Sequence, residues 1–558
     1  MCAKQIERQG GFNMKKPQLS ELTLREKIGQ LGNYISSNCL KMIQENHKDV
    51  PLIGSIWGSR TLNMDVIRMV GESEAGQIYS SEQREFMKEF NKNAKIPAIA
   101  AMDCIRGIQY LFKDLSRLMC APTIGATNSE DIAYRTGVAK AKEFKCAGAQ
   151  WVWGPEEDIS SRYKSISLGR LYSDDPELIT KLGIAESKGI QDNGVAATAK
   201  HFPGDDGKEY RDAHTSISTL HLSMEEWEKG QGKVFRDLID AGVYSVMISH
   251  LAFPACDNTM ANGHYIPSTI SHKVVTGLLK EKLGFKGVVI TDAIGMHSLA
   301  DLFDGDMIEI CIACINAGCD VMLSCPIDFI DGIEQAVLNG RIAESRIDDA
   351  CQRVLDMKEK LGVFDGPIEE MDVQAVVAES NALKEETARK SLSLVCDKKN
   401  ILPLDKEKYK NVAIIFSGFG GVFESLGFME DELKKHGVQN VTIVNGIHSL
   451  AEAEKLSGEN DLMLYVSHIS FNQPFGIAGY QGDDYQTFSY IDKGNQKGKR
   501  IGVSLGSPYV YFDYYSDFDC FINAYNPTEE TQRALIKAFY GELSFEGIHP
   551  FRLIPEGF

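Results

Sequence analysis

No run of about 18 consecutive apolar residues occurs in this 558-residue chain, so no membrane-spanning helix is expected. The N-terminus, MCAKQIERQGGFNMKKP, has no apolar core of signal-peptide length, and no secretory leader is expected there. Acidic residues outnumber basic ones, 78 to 59. The formal net charge of −19 argues against nucleic acid or an anionic membrane as the main partner, because phosphate binding needs clustered Lys and Arg. Internal repeats and low-complexity tracts are also absent. The 13 cysteines are scattered through apolar segments, which fits free thiols in a reducing cytoplasm. Cys311-x-x-Cys314, with Cys319 and Cys325 beyond, reads either as a ligand set or as buried thiols. Its apolar surroundings, MIEICIACINAGCDVMLSC, favour buried thiols. No other His or Cys cluster has metal-ligand spacing, so neither a metal nor a cofactor is expected.

What the chain does have is length for two to four domains and an ordinary apolar fraction of 43%, enough for a large core. Over the first ~360 residues, short apolar runs alternate with amphipathic helical stretches. The runs at residues 52–57, 97–102, 150–153, 195–199, 244–249, 287–291 and 320–323 read as strands. Segments such as SEQREFMKEFNKNAK and SMEEWEKGQGKVFRDLIDAG read as the helices between them. Seven or eight such units suggest a TIM-like (β/α)8 barrel, over residues 1–364, with the eighth strand unplaced. Residues 365–390 read as a charged, strand-poor linker with a helical run around ALKEETARKSL. Residues 391–558 show five further strands, near 412–416, 441–444, 462–466, 501–505 and 520–524. They fit a doubly wound α/β sandwich domain. Ser417-Gly418-Phe419-Gly420-Gly421 after the first of them is either a phosphate cradle or a tight turn. It lacks the full dinucleotide spacing, which favours the turn.

The polar chemistry collects at strand ends. Asp103, Glu156, Asp158, Lys200, His201, His250 and Asp292 all fall at or just after an expected strand, where barrel enzymes keep their reactive groups. The densest stretch is AKHFPGDDGKEYRDAH, after the small-residue run GVAATA. In Asp212-Ala213-His214 a carboxylate can hold one imidazole nitrogen and leave the other to move a proton. Asp292, in GVVITDAIGM, is either a fixed reactive carboxylate or the N-cap of the next helix.

Taken in order, LTLREKIGQLG, AMDCIRGIQ, AQWVWGPEEDI, LGRLYSDDP, AKHFPG…DAH, VYSVMISHLAFP, PSTIS, GFKGVVITDAIGM, AGCDVML, RIDDACQRVLDMKEKLGVF and SLSLVCDKKNILPL resemble family 3 glycoside hydrolases. The resemblance is to the β-N-acetylglucosaminidase branch and covers nearly the whole chain. It implies a retaining exo-glycosidase. Asp292 is then the nucleophile that forms a glycosyl-enzyme, and His214, oriented by Asp212, is the general acid/base. A second carboxylate beside Asp292 would be repelled by it, and a His avoids that. Lys200, His201, Asp103 and Arg170 resemble sugar-hydroxyl ligands, although Lys200 and His201 could instead be core groups and Arg170 a structural ion pair. His250 either lines the pocket or supports it.

The loop of the dyad departs from the branch. It has Ala213 where Ser or Thr is usual and carries Asp205-Asp206-Gly207 in place of a shorter His-Gly. The branch often has a second arginine a few residues past Asp103, and in DCIRGIQYLF no arginine, Arg106 included, aligns with it unambiguously. The implied partner is a small carbohydrate: an amino-sugar glycoside of the muropeptide or chitooligosaccharide type, releasing terminal β-linked N-acetylglucosamine. The alternatives are a β-N-acetylglucosaminide phosphorylase on the same site, a family 3 glycosidase for another sugar, and a non-catalytic sugar-binding protein.

Overall fold

The computed structural model describes residues 14–60, 77–104, 107–108, 110–159, 169–205, 208–209, 211, 213–419, 426–469, 487, 490, 499–512 and 518–554. Eight short strands form the first module: β1 Gly32–Ile35, β2 Ser55–Trp57, β3 Ile99–Asp103, β4 Trp151–Trp153, β5 Thr198–Phe202, β6 Ser245–Ile248, β7 Val288–Thr291 and β8 Met322–Leu323. All neighbours run parallel. Continuous ladders join β8-β1-β2-β3-β4 and β5-β6-β7. Single bridges close the remaining gaps, with Trp151 to Ala196 and Glu156 to Lys200 on one side and Ile290 to Val321 on the other. The result is the expected (β/α)8 barrel.

The strands are nearly uniformly buried, as parallel strands covered by helices must be. Inside the barrel several polar atoms pair with one another: Trp151 Nε1 donates to Thr198 Oγ1 (2.9 Å) and Ser245 Oγ (3.0 Å), and Asn33 Nδ2 donates to Ser55 Oγ (2.9 Å). Buried donors left unpaired would each cost about 1–3 kcal/mol.

The strand that sequence reading leaves unplaced is β1. It is four residues long and lies between two helices, Leu24–Gly29 and Ser36–Gln44, with polar Asn33 in its middle. Neither length nor periodicity marks it. The covering helices include Glu130–Cys146, Pro176–Gln191 and Gln231–Asp240. Ser129 and Asp175 cap the first two by accepting from Ile132 N and Glu177 N, satisfying amides that a helix start leaves open.

The second module holds a six-stranded sheet: β9 Ser393–Asp397, β10 Asn411–Phe419, β11 Asn440–Asn445, β12 Leu462–Ile469, β13 Lys499–Ser504 and β14 Cys520–Asn523. The spatial order is β9-β14-β13-β12-β10-β11, parallel except for β9, which pairs antiparallel with β14 at one edge. Strand periodicity divides its core. Val412, Ile414, Leu464, Val503 and Ile522 pack on one face, and Ala413, Ile415, Met463, Tyr465 and Phe521 on the other. Five strands were expected. The sixth, β9, is largely half-buried and shifts register between Leu394 and Cys396, so its pattern is weak. Strand β10 continues through Ser417 to Phe419; Gly420 and Gly421 lie outside the described residues.

The stretch 365–390, expected as a linker, contains most of the helix Val373–Ser391, capped by Asp372. Ser380 Oγ donates to Glu143 Oε1 (2.8 Å) on the barrel side, and Lys384 pairs with Glu530 (2.9 Å) on the other module. Among the described residues no helix is long and apolar enough to cross a membrane.

Candidate active site

The C-terminal ends of β3 to β7 face one mouth of the barrel and carry the polar groups. Asp103 ends β3, and its Oδ1 accepts from Lys200 Nζ of β5 at 2.7 Å. His201, next in β5, has Nδ1 2.7 Å from Asp158 Oδ2, while its backbone N donates to Asp158 Oδ1 at 3.1 Å. Two contacts to one carboxylate fix the ring plane. Nε2 has no hydrogen-bond partner among the described residues. Glu156, just after β4, is ion-paired with Arg170. Beneath them Glu157, fully buried, accepts from Lys200 N at 3.1 Å. Asp292 follows β7. Its amide donates to Ile248 O (3.0 Å) and its Oδ1 accepts from Ala293 N (2.7 Å), which ties the carboxylate to its own turn.

Burial alone would raise the Asp292 carboxyl. The imidazoles of His201, His250 and His214, with the Ala293 N–H, outweigh it and hold the group at about 2. Asp292 is therefore an anion across the neutral range, as a nucleophile must be. For His201, burial alone would lower the imidazole, but Asp158 and then Glu156 keep it above its ordinary 6.5. The Arg170 guanidinium, despite burial, is held firmly charged by Glu156, Asp103, Asp158 and Asp292. Burial pushes the Glu157 carboxyl well above the usual range.

Of the sequence-predicted residues, Asp103, Arg170, Lys200, His201 and Asp292 come together here. His214 is half-buried, and its carbonyl accepts from His297 N at 3.4 Å. Asp212 and Arg106 lie outside the described residues. Of the two readings of His250, as a group lining the sugar pocket or as a support for it, the contacts favour support. His250 is 1% exposed, with Nδ1 2.6 Å from Thr269 Oγ1 and Nε2 3.0 Å from Ala293 O. Both nitrogens are occupied within the protein, so it braces the turn that carries Asp292.

Glu156, Asp158 and His201 are the one described trio close enough to hold a metal ion, but His201 is bound to Asp158 and Glu156 to Arg170. The twelve described cysteines are unpaired; Cys311, Cys314, Cys319 and Cys325 are all buried.

Sequence reasoning missed Glu209. It is buried and accepts from Arg211 N (2.8 Å), Arg211 Nε (3.0 Å), Arg211 Nη2 (2.6 Å) and Thr219 N (2.7 Å). In GDDGKEYRDAH it is one acid among several, and nothing local marks it. Thr269, which holds His250, lies within PSTIS but shows its role only in three dimensions.

The model of the glycosyl hydrolase family 3 N-terminal domain matches residues 23–357. A curated relative from Cellulomonas fimi, described as a beta-N-acetylglucosaminidase/beta-glucosidase, is 26% identical over 569 residues, covering 97% of this chain and 95% of its own. Among solved structures, a beta-glucoside phosphorylase, BglX, superposes with a TM-score of 0.80 at 25% identity, covering 96% of this chain and 95% of its own. The family 3 beta-N-acetylglucosaminidase from Paenibacillus sp. str. FPU-7 shares the fold, with a TM-score of 0.80, 24% identity and coverage of 96% and 99%.

Proposed function

The chain belongs to glycosyl hydrolase family 3, and on that premise we propose that it is a retaining exo-β-N-acetylglucosaminidase working through Asp292. That it is a glycoside hydrolase acting on carbohydrates follows from the family and its relatives. The finer reading rests chiefly on one observation: a carboxylate at the end of β7, tied to its own turn by the Ala293 amide at 2.7 Å, at the barrel mouth that also carries Asp103, Lys200, His201 and Arg170.

In the first step an Asp292 oxygen attacks the anomeric carbon. The glycosidic C–O bond breaks, and His214 gives its proton to the departing oxygen. In the second step His214 takes a proton from water, which attacks the anomeric carbon and releases Asp292 and the free sugar. Asp212 orients His214. Asp103, Lys200, His201 and Arg170 grip the ring hydroxyls. Their ion pairs, Lys200 with Asp103, His201 with Asp158 and Arg170 with Glu156, hold those donors and acceptors in place before the sugar arrives, which lowers the ordering cost of binding. N-acetylglucosamine as the sugar is supported by the description of the Cellulomonas fimi relative as a beta-N-acetylglucosaminidase/beta-glucosidase, and substrates of the muropeptide or chitooligosaccharide type are what the resemblance to the β-N-acetylglucosaminidase branch implies.

A second reading, phosphorolysis, is favoured by the near full-length similarity to a beta-glucoside phosphorylase. A His base repels phosphate less than a carboxylate would. Against it, Arg170 and Lys200, the cations at the mouth, are each already paired with a carboxylate. Water is the favoured acceptor. The test is a panel of nitrophenyl β-glycosides (N-acetylglucosaminide, glucoside, galactosaminide, xyloside) with and without millimolar phosphate. Free N-acetylglucosamine at a phosphate-independent rate is expected. A sugar 1-phosphate as main product would replace the hydrolase reading with the phosphorylase one.

A further inference from the structure

The acid/base pair proposed above lies in the first module, so the second module has no assigned part in the reaction. Its last described segment nevertheless reaches back to the site. Residues 547–552 leave the sheet beside β9, where Gly547 N donates to Leu392 O (3.0 Å) and Ser393 Oγ donates to Ile548 O (2.6 Å). They then cross onto the barrel, where Ile548 N donates to Ala126 O at 2.8 Å. The carbonyl of Pro550 accepts from Ser173 Oγ and from Asp174 N (3.4 Å), and Arg552 N donates to Asp174 Oδ2 (3.2 Å). Ser173 and Asp174 are three and four residues beyond Arg170. Leu171, adjacent to Arg170, is fully buried in the second module's core together with Tyr509 and Phe551.

The other side of this short loop is anchored in the barrel. Tyr172 Oη donates to Glu186 Oε2 at 2.5 Å, and Glu186 also accepts from the buried Lys140 at 2.6 Å. The packing is tightest at Gly125, in the helix Ala121–Thr127. A Cβ there would lie 1.9 Å from Tyr172 O and 3.2 Å from Pro550 Cβ, so helix, loop and strap meet with no room for a methyl group.

We propose that residues 547–552 act as a strap by which the second module positions Arg170 for the sugar, with Phe551 and Ser173 as its positioning residues. The second module thereby sets sugar affinity without touching the sugar. This rests on the reading of Arg170 as a sugar ligand. An Arg held only by its own ion pair would keep the rotamer freedom of a long side chain. A loop pinned on both sides of Leu171 delivers its guanidinium already aimed.

The experiment uses the full-length protein and the nitrophenyl β-glycoside that the wild type turns over fastest. Arg170→Ala is expected to raise KM about a hundredfold, the loss of hydrogen bonds from a charged group. Phe551→Ala is expected to raise KM about tenfold with kcat within about twofold, Phe551→Leu to recover most of the loss, and Phe551→Ala to add nothing in an Arg170→Ala background. A merely structural role would instead lower kcat through loss of folded enzyme and leave KM fixed. If Phe551→Ala does not fold, Ser173→Ala, which removes one hydrogen bond, carries the test with an expected KM increase of about three- to tenfold. Unchanged KM in Arg170→Ala overturns the reading of Arg170 itself. A raised KM in Arg170→Ala with unchanged KM in folded Phe551→Ala or Ser173→Ala overturns the strap alone, as does a Phe551→Ala effect that multiplies with that of Arg170→Ala.

Discussion

At the scale of single residues the site is a balance of charges, and the balance has measurable signs. Asp292 is held at about 2, so the acidic limb of a pH–rate profile should not belong to it. Asp292→Ala is expected to lower kcat by on the order of 10⁴-fold or more while leaving the melting curve intact. A 2-fluoro-sugar inactivator should label Asp292 in the wild type, and a label on any other carboxylate would end the assignment. His201 behaves in the opposite sense. Its folded pKa is raised, so its pairing with Asp158 adds stability that is fully present below 6.5 and lost as pH rises through the folded value. The denaturation midpoint of wild type should exceed that of His201→Gln by more at pH 6 than at pH 9. An equal gap at both pH values would show that the imidazole contributes packing alone.

The strand-end placement of these residues was legible in the sequence, Lys200 and His201 in AKHFPG and Asp292 in TDAIGM; their motifs alone left a core pair and a helix cap open, and their proposed roles come from the family resemblance. His250 stayed open between lining the pocket and supporting it, because a strand-end His looks the same whether its nitrogens face a ligand or a threonine. Only the contacts to Thr269 and Ala293 decide it.

The informative element is the loop after β5, which carries His214. Its base is drawn together by Glu209, whose carboxylate receives Arg211 through backbone and guanidinium and also the amide of Thr219. Burial alone would raise this carboxyl, but the Arg211 side chain and the two amides hold it at about 2. Closing a span of about ten residues in this way removes much of the loop's freedom. Glu209→Gln keeps an acceptor for Thr219 N but gives up the charge-assisted fork to Arg211. It is expected to lower kcat/KM about 10- to 100-fold for sugars with poor leaving groups, and only a few-fold for nitrophenyl glycosides, which need little protonation. Equal losses on both classes would mean that Glu209 supports the fold and not the position of His214.

The barrel's strands show the same divide between pattern and contact. Residues 244–249 and 287–291 announce β6 and β7 as apolar runs, whereas β1 is set by its neighbours β8 and β2 and β9 by its antiparallel partner β14. Pairing of this kind is non-local, and no window of sequence contains it.

At the scale of the whole molecule the two modules share packing that their sequences do not advertise. Met119 lies in the core of the second module with Ala388, Leu392 and Val466, although it stands between β3 and β4 of the barrel. Cys120 Sγ donates to Tyr525 O at 3.3 Å, and Asn526 Nδ2 approaches Met119 Sδ at 3.3 Å. Leu171 joins the other face of the same sheet. The helix Val373–Ser391 holds Glu143 through Ser380 and Arg135 through Glu386 (2.8 Å) on the barrel, and Glu530 through Lys384 on the second module. Independent domains of this size would present a polar interface of modest area and unfold separately. Here, removing one module would bare Met119 and Leu171, each worth about 1.5–3 kcal/mol of burial, and strand a helix that uses both partners. Differential scanning calorimetry of the full chain is therefore expected to show one joint transition whose calorimetric and van't Hoff enthalpies agree. Met119→Ala should lower that transition by a few degrees without splitting it. Two resolved transitions in the wild type would show that the modules fold as separate units, and that the contacts at Met119, Leu171 and residues 373–391 are too weak to couple them.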